Sequence, residues 1–92
     1  MGGFYMENLM DLRSKIDDYN VALLKLLNER AKIAIEIGKA KEGLDIPTHD
    51  PIREAKILQE LTDLNEGPLT NSMVEKIFTE IMKANLLLQQ MD

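Results

Sequence analysis

The stretch from Leu9 to Lys41 constrains this chain more than any other. From about residue 6 to residue 42 it holds no proline, and Gly38 is its only glycine. Helix formers dominate: Leu, Ala, Lys, Glu and Arg. Taken at alternating steps of four and three, Leu9, Arg13, Ile16, Asn20, Leu23, Leu27, Arg30, Ala34, Ile37 and Lys41 fall on one line. That is a heptad seam, the face a long helix turns toward a partner. At 1.5 Å per residue such a helix runs roughly 55 Å, whereas a compact chain of this size has a radius of gyration of only about 12–13 Å. The helix therefore exceeds what the remaining residues can cover. Further apolar side chains, Leu12, Tyr19, Leu24, Leu26, Ile33 and Ile35, widen the stripe. Pairing with another chain, as an intertwined dimer that buries both faces of this helix, answers the problem.

Arg13, Arg30 and Lys41 sit on that otherwise core-like line. A buried unpaired cation costs several kcal/mol by order of magnitude. A lone cation ordinarily snorkels to the seam edge and keeps its charge wet. Three of one sign on one stripe point instead to an anion held in a cleft. Arg30 and Lys41 are separated by about 20° in azimuth and roughly 16 Å along the axis, a span over which two inward-reaching side chains grip the two ends of one small dianion. Arg13 lies roughly 25 Å before Arg30 on a straight helix. In an antiparallel dimer, Arg13 of one chain can enter the site built on the other, giving two sites per dimer.

The remainder reads as two shorter helices. Residues 42–49 break the pattern with Gly43 and Pro47, and Asp50-Pro51 reads as an N-cap followed by proline at the first helical position. A second helix is expected over about 50–65, with Glu54, Ile57, Leu58, Leu61 and Leu64 inward. Arg53 and Glu54 in its first turn fit either a polar wall of a site or a charged helix start. The only histidine, His49, has no motif around it and receives no catalytic role. Gly67-Pro68 is a stop, with Gly67 suited to a C-cap. A third helix is expected over about 70–90, capped by Thr70, Asn71 or Ser72, of which Ser72 with Glu75 fits a capping box. Its apolar face is Val74, Ile77, Phe78, Ile81, Met82 and Leu88, and Asn85 and Gln89 fall on the same line one above the other. Gly38 fits either close approach of a backbone or ligand, or a mild bend near a helix end.

These elements make one all-α domain over residues 1–92: a three-helix protomer, one long and two shorter, in an intertwined homodimer. Residues 1–6 read as a disordered tail or cloning remnant, with Met6 equally suited to a natural start; the first helix then spans about 6–42. Aromatic content of 4% leaves the core to Leu, Ile and Met. The formal net charge of −5 argues against a nucleic-acid partner. No apolar run approaches the roughly 18–20 residues of a membrane span. The absence of cysteine excludes disulfides and thiolate metal sites, and with no secretory signal the expected location is the cytoplasm.

The polar groups on inner faces are Arg13, Arg30, Lys41, Arg53, Glu54, Asn85 and Gln89. They include no activated nucleophile, metal cluster or glycine-rich phosphate loop. The set fits a small dicarboxylate carrying a hydroxyl and an ether or carbonyl oxygen, with chemistry resting on positioning and fixed charge.

Five segments then carry a resemblance. Leu12-Arg13-Ser14-Lys15-Ile16-Asp17, Leu26-Leu27-Asn28-Glu29-Arg30, Ile37-Gly38-Lys39-Ala40-Lys41, Asp50-Pro51-Ile52-Arg53-Glu54 and Leu86-Leu87-Leu88-Gln89-Gln90 resemble, in order, the all-helical class of chorismate mutases. The resemblance implies an entwined dimer of three-helix protomers that rearranges chorismate to prephenate on the route to Phe and Tyr, without a cofactor or metal. By position it implies that Arg13 comes from the partner chain and that Arg13 and Arg30 bind substrate carboxylates, with Arg53 supporting. Lys41 would meet a carboxylate and the ether oxygen, and Gln89 would donate to that same oxygen. Glu54, with the backbone N–H of Asp50, would hold the ring hydroxyl. Asn85 stands where several relatives carry Ser, and it keeps a donor and an acceptor. Catalytic roles thus fall to Lys41, Gln89, Arg30 and Glu54. Isochorismate pyruvate-lyases look similar and form a second reading. A third is a regulatory or dimerisation module fused to, or associated with, a 3-deoxy-7-phosphoheptulonate synthase or a prephenate-processing domain.

Overall fold

The computed structural model describes residues 2–91. It consists of three α-helices: α1 (Gly2–Gly43), α2 (Pro51–Leu64) and α3 (Asn71–Gln89). The expected tail is instead helical from Gly2 onward, while Met1 and Asp92 lie outside the described residues. Two glycines in the opening turn weaken a helix little, because the first N–H groups lack intrahelical partners in any case. Phe4, Tyr5 and Met6 then continue the helix without a breaker.

The end of α1 is closed by a device that the sequence pattern did not expose. The Ile46 N–H donates to Lys41 O at 2.9 Å, and the Asp45 N–H donates to Glu42 O at 3.1 Å. This is the paired hydrogen bonding of a Schellman cap, and its left-handed position is filled by Asp45 at φ 57°. The nearby Gly43 is the last helical residue rather than the cap.

Asp50 caps α2 as expected: its Oδ1 accepts from the Arg53 N–H at 3.0 Å, and Pro51 opens the helix. Further on, one expectation is corrected and one choice among three is resolved. The residue closing α2 is Asn65, in extended conformation, and Gly67 at φ 81° lies in the turn beyond. The cap of α3 is Thr70, whose hydroxyl accepts from the Met73 N–H at 3.2 Å, so Ser72 lies inside the helix and forms no cap. Asn65 explains both. Its amide nitrogen donates to Leu69 O and to Asn71 Oδ1, each at 2.8 Å, and its Oδ1 accepts from the Gly67 N–H at 3.1 Å. One side chain thus ties the turn and engages Asn71 before it can act as a cap.

The chain divides into two units, and each has its own character. The first, up to Arg30, consists of α1 alone. Its described residues are exposed except Arg30, which is half-buried. On the seam, Leu9 is 41% exposed, Ile16 59%, Leu23 54% and Leu27 40%. The second unit, from Ala31, holds the last turns of α1 together with α2 and α3, which pack on each other. Ala34, Gly38, Val74, Met82 and Asn85 are buried there, while Glu54, Ile57, Leu58, Leu61, Phe78, Ile81 and Leu88 are half-buried. Leu64 and Ile77, expected inward, are exposed. No large side chain among the described residues is fully buried. A chain with this much aliphatic surface in water lacks the continuous core that ordinarily stabilises a domain.

Candidate active site

The last turns of α1 carry Lys41 and receive Gln89 of α3. Ala34, Gly38 and Lys41 follow one another on nearly one face, Ala34 and Lys41 being about 20° and roughly 10 Å apart on a helix. Gln89, the final residue of α3, lies across the first two of these. Its Nε2 donates to Ala34 O at 2.7 Å, and its side-chain stem rests on Gly38. Of the two readings of Gly38, close approach is found, though by a side chain rather than a backbone or ligand: a Cβ there would lie 3.0 and 3.1 Å from Gln89 Cγ and Cβ. Asn85, one turn before Gln89 on the same side of α3, is 8% exposed, and no buried side-chain polar atom among the described residues is left without a hydrogen bond.

Lys41 is half-buried, and its Nζ donates to Thr48 O at 3.2 Å. That contact ties the α1–α2 connection to the end of α1. Glu54, in the first turn of α2, is also half-buried, and its Oε1 accepts from His49 Nε2 at 2.8 Å. Since a carboxylate only accepts, that histidine nitrogen must carry the proton. Arg53 is exposed beside it. In the first unit, Arg13 is exposed and Arg30 is half-buried with interactions of its own. Within the second unit, Gln89 at the end of α3 thus meets the end of α1 at Ala34 and Gly38, Lys41 is tied to Thr48 before α2, Glu54 is paired with His49, Asp50 caps α2 and Asn85 is buried on α3.

A shared property follows from these contacts. Gln89, Lys41 and Glu54 each use one hydrogen-bonding position on their own chain, and each has capacity left over. An amide nitrogen has two protons, an ammonium three, and a carboxylate several lone pairs. Groups tethered in this way are held in place while still able to meet a ligand. The sequence reading missed the anchors: the Ala34 and Thr48 carbonyls, and His49. The histidine had one available signal, since an N-cap turn folds the residue before Asp50 back over the first turn of the helix. Among the described residues, no three His, Cys, Asp or Glu lie close enough to hold a metal ion, and no helix is long and apolar enough to cross a membrane.

Among the described residues there are three helices and no strand, with an amide, an ammonium and a carboxylate each tethered near helix ends, which defines an all-helical domain. The family model for chorismate mutase type II matches residues 12–90, and the chain belongs to that family. It is 38% identical over 89 residues to the bifunctional chorismate mutase/prephenate dehydratase of Aquifex aeolicus, an alignment covering 92% of this chain and 25% of that protein. The chain thus spans about a quarter of the length of the bifunctional relatives it matches. Form II of the chorismate mutase from Thermus thermophilus superimposes with a TM-score of 0.89 at 38% identity, covering 90% of this chain and 94% of that one. Chorismate mutase from Helicobacter pylori, solved in complex with prephenate, gives a TM-score of 0.83 at 30% identity, with 89% of each chain covered.

Proposed function

We propose that this chain is a chorismate mutase, converting chorismate to prephenate by positioning and electrostatic stabilisation. In that rearrangement the ether C–O bond breaks as a C–C bond forms within one molecule, so no external nucleophile, oxidant or reductant is needed. Negative charge grows on the departing ether oxygen. The observation that carries the proposal is the placement of two donors at the end of α1. The Gln89 amide lies on Ala34 and Gly38, and Lys41, one turn after Gly38, holds its ammonium on the Thr48 carbonyl. Preorganised donors at a developing oxyanion give the largest single catalytic effect in many enzymes.

The remaining roles follow by position. Lys41 meets a carboxylate and the ether oxygen, to which Gln89 also donates. Arg30, supported by Arg53, binds carboxylate, as does Arg13 from the partner chain of a homodimer. Glu54, with its other oxygen, and the Asp50 N–H hold the ring hydroxyl. Asn85 contributes a donor or acceptor to the ligand. Together these groups clamp the flexible side chain of the substrate over its ring. The exposed leucines of the α1 seam support the homodimer, and the cytoplasm remains the proposed location. As for associated activities, the family resemblance implied either a 3-deoxy-7-phosphoheptulonate synthase or a prephenate-processing domain. The relatives' names pair the mutase with a prephenate dehydratase, which favours a partner that consumes prephenate.

The deciding experiment follows chorismate loss and prephenate formation with purified protein, with and without a dicarboxylate mimic of the transition state. Stoichiometric prephenate, suppressed by the mimic, is expected. Unchanged chorismate overturns the proposal. Pyruvate release from isochorismate as the dominant activity replaces it with the lyase reading.

A further inference from the structure

We infer that Gly38 is a positioning residue for the Gln89 amide, holding it with its nitrogen toward α1 so that one N–H is anchored and the other is left for the substrate. This rests on the mutase reading above. A Cβ at position 38 would lie 3.0 Å from Gln89 Cγ, 3.1 Å from its Cβ and 3.5 Å from its Cα. The first two distances are tighter than ordinary van der Waals contact. Gln89 Cα and Cβ belong to the body of α3, so relieving the Cβ contact moves that end of α3 and relieving the Cγ contact turns the side chain; either adjustment carries the amide with it.

The amide has a defined place to lose. Its Nε2 donates to Ala34 O at 2.7 Å, one turn before Gly38. In an α-helix that carbonyl already accepts the Gly38 N–H, and its second lone pair receives Gln89. A carbonyl cannot donate, so the reversed amide, with Oε1 against Ala34 O, is repelled. The contact therefore selects one of the two amide orientations. It uses one of the two protons on Nε2 and leaves the second on the same nitrogen. A glycine needed only to let two helices approach would affect stability alone. One that holds an amide in register affects turnover.

The test compares Gly38→Ala, Gln89→Ala, the double variant and Gln89→Asn for kcat and KM on chorismate, alongside helicity and dimer mass. Gly38→Ala is expected to lower kcat about tenfold with KM nearly unchanged, as befits a displacement of a few tenths of an ångström at a reacting centre. Adding it to Gln89→Ala is expected to cost little more kcat. Gln89→Asn keeps the amide but shortens its stem by one methylene. It leaves Gly38 intact and is expected to lose as much kcat as Gln89→Ala. Parental kcat in Gly38→Ala or in Gln89→Asn overturns the inference, as do losses that multiply in the double variant. If Gly38→Ala does not fold, Gln89→Asn decides alone. A parent chain that leaves chorismate unchanged overturns the mutase reading and this inference together, whereas an active parent with unimpaired variants overturns this inference only.

Discussion

Replacing Leu23 by Asp tests whether the α1 seam is an interface between two copies of the chain. Fully burying a leucine contributes about 1.5–3 kcal/mol. Leu23 is 54% exposed, so its association contributes about half of that, on the order of 1 kcal/mol. Leu9, Ile16 and Leu27 offer comparable shares at 41%, 59% and 40% exposure. Counted from both protomers of a two-fold dimer, these positions supply about 8 kcal/mol, which lies within the roughly 4–15 kcal/mol that association costs in lost freedom. The wider stripe of Leu12, Leu24 and Leu26, at 48–62% exposure, must supply the surplus. Leu23→Asp removes one share per chain and places a carboxylate where apolar contact is required, a penalty of several kcal/mol. Each substitution occurs twice in the dimer, so a loss of about 6 kcal/mol is expected. That weakens the dimer by roughly 10⁴-fold. Sedimentation velocity across micromolar concentrations is expected to show a dimer for the parent chain and a monomer for Leu23→Asp, with turnover lost alongside. A monomeric parent, or a variant as dimeric as the parent, would refute the reasoning from exposed leucines.

Removing the Lys41 ammonium with Lys41→Ala is expected to lower kcat by about 10²–10³, the usual loss for one well-aimed donor; a parental rate on chorismate would refute the ether-oxygen assignment. Gln89 has no titratable proton, so the parent should show no acidic optimum, and a steep loss of activity between pH 5 and 8 would count against its role. Gln89→Glu presents a carboxylate to Ala34 O and to the ether oxygen, and it donates only when protonated. Its rate is expected to be low near neutrality and to recover as pH falls, as read from a pH–kcat profile. Asp45→Gly relieves a left-handed residue that costs roughly 1–2 kcal/mol, offset by the greater freedom of glycine in the unfolded chain. A net gain of about 0.5–1 kcal/mol is expected in urea unfolding at fixed protein concentration, with turnover unaffected.

Local physics was legible in the sequence, and partners were not. The proline-free stretch, the Asp50-Pro51 start and, apart from Leu64 and Ile77, the inner faces of α2 and α3 could be read because each depends on residues a turn or less apart. The Asp45 cap was missed because glycine is the usual occupant of a left-handed position, and Gly43 stood close enough to claim the role. The Thr70 cap was one of three candidates, and the choice depended on Asn65 engaging Asn71 across the turn. The seam was legible as a stripe. Its leucines are exposed among the described residues, and the proposed homodimer rests on that exposure.

The proposed site shows why side-chain type alone would underdetermine catalysis. Lys41, Glu54 and Gln89 were legible as polar groups on inner faces, but their aim depends on atoms that carry no sequence identity. Two anchors are backbone carbonyls, of Ala34 and Thr48, which any residue would present. One of them lies 55 residues from its donor. What the sequence can specify is the permission for such contacts: a glycine where a stem must lie flat, and a loop short enough to bring Thr48 over Lys41. A lysine fixed through one of its three protons loses less freedom when substrate arrives than one waving in solvent, because part of the ordering is already complete. The same holds for an amide whose orientation a carbonyl has already selected. For the proposed reaction, which needs no nucleophile or cofactor, this prior ordering is the means available to the protein, and the tethers that supply it lie at the helix ends rather than among the exposed leucines of α1.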